Sequence, residues 1–343
     1  MTKRPLSLTG AQILGHRRAV GALDERLPPG PESLRRAGWA GLQDSMPRAA
    51  LLSIHARLEG TEASTWEDRS LVQVWGPRFS AYVVPAIDRA IFTLGRLPDE
   101  GRSRAIAGDM ADRLDEFLAG RTMSANEAGH ALGLHHPNQL RYAAPTGRVL
   151  IRWDGAKRPS IWTVPAPEVD PLDARAELAR RYLHVFGPGT PEAFAEWAGI
   201  KPPRGRAAFE AIGHSLIAVK TPIGDGWILC DDEASFKGSP RPTAAARLLP
   251  SGDAYYLLQG AERELLIPQA DRRGALWTSR VWPGAVLVEG DVVGVWRRAN
   301  ADLTIQAWRR LSSAERSAVE GEAASFPLPG FRGSIRVRWE DRA

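Results

Sequence analysis

Gly41-Leu42-Gln43-Asp44-Ser45-Met46-Pro47 runs into Arg48-Ala49-Ala50-Leu51-Leu52-Ser53-Ile54-His55-Ala56-Arg57, and Pro47 decides how both halves are read. Beyond it, Leu51, Leu52, Ile54 and Leu58, with alanines at 49, 50 and 56, follow the period of a helix. A proline in the first helical turn forfeits no intrahelical hydrogen bond, so Pro47 belongs at the helix start. Proline also pushes the residue before it toward extended geometry, which makes residues 42–46 a short extended connector. In extended chain, side chains i and i+2 share a face. Gln43 and Ser45 therefore point one way and Asp44 the other. Asp44 or Ser45 then has an ordinary use, accepting hydrogen bonds from the free N–H groups of the helix. Capping of this kind is a common role for Asp and Ser.

Outward from this junction the chain reads as repeated helix-and-hairpin units. A first helix spans residues 8–26, with Thr9 as N-cap and Ile13, Leu14, Val20 and Leu23 as its apolar stripe. Pro28-Pro29-Gly30-Pro31 breaks the chain. Short helices at 31–40 and 47–58 and a brief one at 65–71 follow. Residues 71–84 are a strand, a bend at Gly76-Pro77 and a strand. Three helices and a β-hairpin make a winged-helix arrangement.

The pattern returns twice. Ser124 and Glu127 stand at capping-box spacing, residues 136–142 suit a short recognition helix, and Asp154-Gly155 joins two β runs within 146–164. Lys157 and Arg158 sit at that hairpin's tip. The third unit has helices at 174–186, from Thr190-Pro191 through Trp197, and at 204–214, then a hairpin of 216–221 and 227–231 across Gly224-Asp225-Gly226. The second helices of the units share a weak likeness, Ala37-Gly38-Trp39, Ala128-Gly129-His130 and Ala195-Glu196-Trp197, as divergent repeats do.

From Arg247 onward short β runs dominate, at 255–258, 265–268, 285–289, 292–298 and 303–307. One helix at 312–324, boxed by Ser312 and Glu315, and a last strand at 333–339 complete a barrel or strongly curled sheet. The expected class is α+β, with tandem winged-helix units before a C-terminal β-barrel-like domain. The expected boundaries are 1–95, 96–168, 169–246 and 247–343.

A hydrophobic content of 43% excludes a disordered chain, and a net charge of +5 permits an anionic partner. The single cysteine, Cys230, excludes an internal disulfide or a multi-cysteine zinc site and fits a reducing, cytoplasmic setting. No apolar run is long enough to span a bilayer, so no membrane partner is expected. His135-His136 and Asp231-Asp232-Glu233 lack further ligands at metal-site spacing, so no metal is expected at either. Neither a phosphate loop nor a Gly-x-Ser-x-Gly elbow is present, and no cofactor is expected.

Several motifs occur in a telling order. They are Gly41-Leu42-Gln43-x-x-x-Pro47-Arg48-Ala49-Ala50, His55-Ala56-Arg57-Leu58-Glu59-Gly60 and Arg78-x-Ser80-x-Tyr82-Val83-Val84-Pro85-x-x-Asp88, then Leu248-Leu249-Pro250-x-x-Asp253 and Val293-Gly294-Val295-Trp296-Arg297. In these the chain resembles the bacterial winged-helix DNA glycosylase family of the AlkZ/YcaQ type, over nearly its whole length. The resemblance implies a nucleoid-associated repair protein on duplex DNA that opens alkylated-base lesions, including interstrand crosslinks.

The family's catalytic pattern after Gly-Leu is Gln-x-Gln or Gln-x-Asp. Gln43 matches the first position and Ser45 departs at the second. The family's following Thr-x-His corresponds to Ser80 and Tyr82. Cutting an N-glycosidic bond passes through an oxocarbenium-like state and needs an oriented water. Ser45 can hold a water but is a poor base without charge, while Asp44 has the charge and, in an extended connector, the wrong face. Gln43, Asp44 and Ser45 are the catalytic candidates. Arg48, Arg57, Arg78, Arg152, Lys157 and Arg158 are candidates for phosphate contacts. The alternative is a catalytically silent DNA-binding or regulatory protein on the same scaffold.

Overall fold

The computed structural model describes residues 6–46, 48–155, 158–238, 243–330 and 333–340. At its centre lies the helix Pro171–Phe186, with proline in its first turn and Asp170 accepting from the N–H groups of Leu172 and Asp173. Ala174, Leu178, Ala179, Tyr182, Leu183 and Phe186 recur at three- and four-residue steps and are buried. From Leu178 onward they share one hydrophobic cluster with Val74 and Tyr82, with Trp197, and with Leu249 and Trp277, while Ala174 packs with Ala90, Leu94, Leu97 and Ala107. The core therefore runs across all the boundaries expected from the sequence.

The connector forms the edge of a six-stranded sheet. Its strand order is Leu42–Gln43, Ala81–Pro85, Leu71–Trp75, Val149–Arg152, Ser160–Thr163 and Met123–Ser124. The two expected hairpins are thus one sheet, joined where Gln73 opposes Ile151. The helix Arg102–Leu118 covers part of it with Ala107, Met110, Ala111, Leu114 and Leu118, a stripe of helical period. The third hairpin, Leu216–Thr221 with Gly224–Leu229, pairs instead with Leu6–Ser7, which adds a parallel strand. Its strands turn at residues 222–223, earlier than Gly224-Asp225-Gly226 suggested.

The C-terminal expectation needs correction. Ala246–Leu249, Gly284–Val288, Asp291–Ala299, Asp302–Ala307 and Arg336–Glu340 form an open five-stranded sheet. No sheet closes into a barrel among the described residues. The helix Ser313–Ala324 buries Val319 and Ala323 against Val286, Val288, Leu303 and Ile305, so a helix covers one sheet face where a barrel would fold back on itself. The runs at 255–258 and 265–268 are not strands: the chain there is helical over Ala254–Tyr256 and Glu262–Leu266. Asp154-Gly155 is not a two-residue turn, since the strands it was expected to join pair last at Arg152 and Ser160.

Candidate active site

The connector has the alternation its sequence predicts. Gly41 has φ +74°, and a Cβ there would lie 2.9 Å from the Tyr82 ring and 3.0 Å from Phe92, so only glycine lets the chain enter. Leu42 opposes Val83 and Gln43 opposes Tyr82 in antiparallel register. Leu42 is buried and Gln43 is half-buried.

The Gln43 amide is held from three sides. Tyr82 Oη and Arg78 Nη2 each donate to its Oε1 at 3.4 Å, and its Nε2 donates to Ser45 Oγ at 2.9 Å. Burial pushes the Tyr82 hydroxyl up to about 12, so it stays protonated and donating. Gly252, at φ +78°, closes the fourth side: a Cβ there would lie 3.2 Å from Gln43 Nε2. Met46 and Ser251, neighbours in sequence of Ser45 and Gly252, line a cavity of about 330 Å³ walled by Pro250, Trp282, Pro283 and Trp296. Flat indole walls beside convergent polar groups suit a planar base.

Asp44 faces the other way. It is 1% exposed, accepts from the Ala50 N–H at 3.0 Å and from Gln73 Nε2 at 2.8 Å, and so caps the helix Ala49–His55. Its candidacy as a catalytic charge is withdrawn on this geometry. Gln73 continues the link, because its Oε1 accepts from the Trp153 N–H at 2.7 Å. Burial pushes the Asp44 carboxyl up to about 6, although the N–H groups around it and the Arg48 charge pull it down.

A raised carboxyl stabilises the fold most below its ordinary value of 3.8, and that contribution is lost as pH rises through about 6. Asp44→Asn keeps the cap to Ala50 and removes the titration. The wild type should therefore gain stability relative to Asp44→Asn as pH falls from about 6 to about 4, with parallel curves above about 7, in urea denaturation across pH. A constant difference over that range would rule out a titrating Asp44.

The cationic candidates divide. Arg57 is corrected: it is 3% exposed, its Nη1 and Nη2 lie 2.7 and 2.8 Å from the Asp253 carboxylate, and Nη1 also donates to the Ser53 carbonyl. Its charge is neutralised inside the protein, out of reach of a phosphate. Arg48 and Arg152 place their guanidinium carbons 3.8 and 3.7 Å from the centre of the Trp66 ring. Two guanidinium groups so close to one ring occupy its opposite faces. Arg152 also pairs with Glu67 at 2.8 Å, while Arg48 begins its helix from φ +64° with a buried, unpartnered Nη1. Arg78 serves Gln43, Arg158 is exposed, and Lys157 lies outside the described residues.

Sequence reasoning missed Asp253, Gly252 and Trp66. The spacing Leu248-Leu249-Pro250-x-x-Asp253 marked the region, but pairing residues some two hundred positions apart needs the fold. Several other arginines also point inward. Arg17, Arg96, Arg175 and Arg181 are all buried, with Arg181 on Asp88 at 2.9 Å and Arg175 on Asp99 at 2.7 Å. Much of the arginine content is thus structural. No helix among the described residues is long and apolar enough to cross a membrane.

The profile of a family described as DNA glycosylase AlkZ-like matches residues 34–327. An interstrand DNA cross-link repair glycosylase of Streptomyces sahachiroi is 24% identical in sequence, over 79% of this chain and 82% of that protein. The solved structure of Streptomyces sahachiroi DNA glycosylase AlkZ covers 98% of this chain, and this chain covers all of it, with a TM-score of 0.78 at 19% identity. That likeness is one of fold.

Proposed function

The chain belongs to the AlkZ-like DNA glycosylase family, and from that premise we propose that it binds damaged duplex DNA and hydrolyses the N-glycosidic bond of alkylated or crosslinked purines. The observation that carries this reading is the Gln43 amide, fixed by Tyr82, Arg78 and Ser45 beside an indole-walled cavity. We read the helix-and-hairpin units as tandem winged helices. On this reading Lys157 and Arg158 contact phosphates, and Arg48, Arg78 and Arg152 add positive charge nearer the connector.

A water that donates its protons to Gln43 Oε1 and Ser45 Oγ turns its lone pair outward, toward the anomeric carbon of a nucleotide in the cleft. An N7- or N3-alkylated purine is already cationic, so the C1′–N bond breaks with its electron pair on a base that leaves neutral. The oxocarbenium ion then takes the water oxygen, and the surplus proton passes to solvent. Such a leaving group needs no acid, and a neutral amide and hydroxyl suffice to orient the water. The test is release of free base from duplexes carrying N7-alkylguanine, N3-alkyladenine or an interstrand crosslink; intact glycosidic bonds in all three would end this reading.

A second reading, a silent DNA-binding scaffold, has its own support. Asp44 is turned away and Asp253 is tied to Arg57, so neither carboxylate next to the connector faces Gln43 and Ser45. Both readings require phosphate contacts. Affinity for duplex DNA should fall steeply with salt, with a log–log slope near −0.9 per phosphate neutralised. Replacing Lys157 and Arg158 together by alanine should reduce the slope by about two without altering sequence preference. Affinity that barely moves between low and physiological salt contradicts both readings.

A further inference from the structure

Arg78 and Phe79 are consecutive non-glycine residues at positive φ, +52° and +57°. Such backbone is costly and persists where the surroundings hold it. Here Gly199 supports the turn, since a Cβ at Gly199 would lie 2.9 Å from the Arg78 nitrogen. The turn sends its two side chains to different places. Arg78 reaches Gln43, while Phe79 lines a second cavity of about 670 Å³.

This second cavity has flat walls and basic polar groups. Phe79 and Tyr142 meet edge to face, with centroids 6.2 Å apart, and Tyr142 and Ile106 are 46% and 39% exposed. Arg96 lines it while only 3% exposed. Its Nε donates to the Ala198 carbonyl at 2.9 Å and its Nη1 to the Trp75 carbonyl at 3.0 Å. Its guanidinium carbon lies 4.9 Å from the centre of the Phe79 ring. Lys201 and Arg204 also line the cavity, and no Asp or Glu does. Burial pulls the Arg96 guanidinium down to about 10, a desolvation that an anion beside the guanidinium would offset.

We propose that this cavity binds one purine nucleotide as its 5′-monophosphate, the base against Tyr142 and Phe79 and the phosphate toward Arg96 and Lys201. A stacking wall with a basic end and no carboxylate lining is the chemistry that holds a nucleotide. The volume accommodates base, sugar and phosphate together. The site is separate from Gln43 and makes no use of glycosidic cleavage. The same ligand has two sources, free nucleotide or one nucleotide unstacked from a strand.

The test is calorimetric titration of the full chain with deoxyguanosine monophosphate, with deoxyguanosine and inorganic phosphate as separate probes. The nucleotide should bind at least about tenfold tighter than either fragment. Tyr142→Ala should weaken it about tenfold through lost stacking, and Lys201→Ala several-fold with a shallower salt dependence. Both side chains are exposed, so thermal melts of the variants should match the wild type. Arg96 also ties two backbone carbonyls, so the exposed Tyr142 and Lys201 are the side chains replaced. No binding of the nucleotide at millimolar concentration, or an affinity unchanged in both variants, overturns the proposal. A single-stranded oligonucleotide that displaces bound nucleotide identifies the strand as the source; one that leaves it bound identifies the free nucleotide. The readout is binding, so a protein that fails every excision assay leaves this test intact.

Discussion

Arg57→Ala should destabilise the protein by about 3–5 kcal/mol, the usual cost of stranding one member of a buried ion pair. The Asp253 carboxylate left behind is fully enclosed, with Ser53 Oγ at 2.7 Å as its remaining side-chain donor. Asp253→Ala should cost a similar amount, because the guanidinium would then be the stranded group. The double replacement Arg57→Met with Asp253→Leu should recover much of the loss, since no unpaired charge remains. Urea midpoints of the four proteins test this, and single variants within about 0.5 kcal/mol of wild type would contradict it. The pair joins the helix Ala49–His55 region to the segment carrying Gly252, whose backbone packs on Gln43. Variants that still fold should therefore show slower excision even though neither residue reaches DNA.

Gln43→Ala carries the largest expected effect on activity. Loss of one preorganised polar group at a reacting centre lowers rates by about 10²–10³-fold. Binding to damaged duplex should stay within a few-fold, because a half-buried amide at the base of the cleft adds little to docking. Equal losses in binding and excision would mean that Gln43 holds DNA and does not orient water. Ser45→Asp adds the missing negative charge on the same face as Gln43. On an N7-alkylguanine duplex, strong wild-type excision that Ser45→Asp does not improve removes the silent reading. Excision only in Ser45→Asp would establish that reading, and none in either protein would mean that the cleft no longer accepts the lesion.

Local signals were the legible part of this fold. Ser124 with Glu127 and Ser312 with Glu315 form the capping boxes their spacing predicted, and Thr190 caps the helix Pro191–Ala198. The alternation in the connector was legible too, since Gln43 bonds to Ser45 across one intervening residue and Asp44 turns the other way, whereas Pro47, expected to start the helix, lies outside the described residues and the helix begins at Ala49. What failed was long-range. β-branched and aromatic residues at 255–258 and 265–268 suit strands, but burial against the core selected short helices there. An open sheet and a barrel differ only in whether the first and last strands meet, which no local pattern records. Arg57 looked like a surface cation because its partner lies far along the chain.

The link from Asp44 through Gln73 to Trp153 has a mechanical consequence. Trp153 stands where the second hairpin's loop begins, and Asp44 lies between Gln43 and Ser45. The join of Gln73 to Ile151 fixes both ends to one sheet. A load at Trp153 is thus carried to the connector by a short tie of hydrogen bonds. If the chain acts as proposed, Trp153 at the start of that loop keeps one offset from Gln43, and the hairpin would serve as a ruler for which nucleotide lies opposite the water.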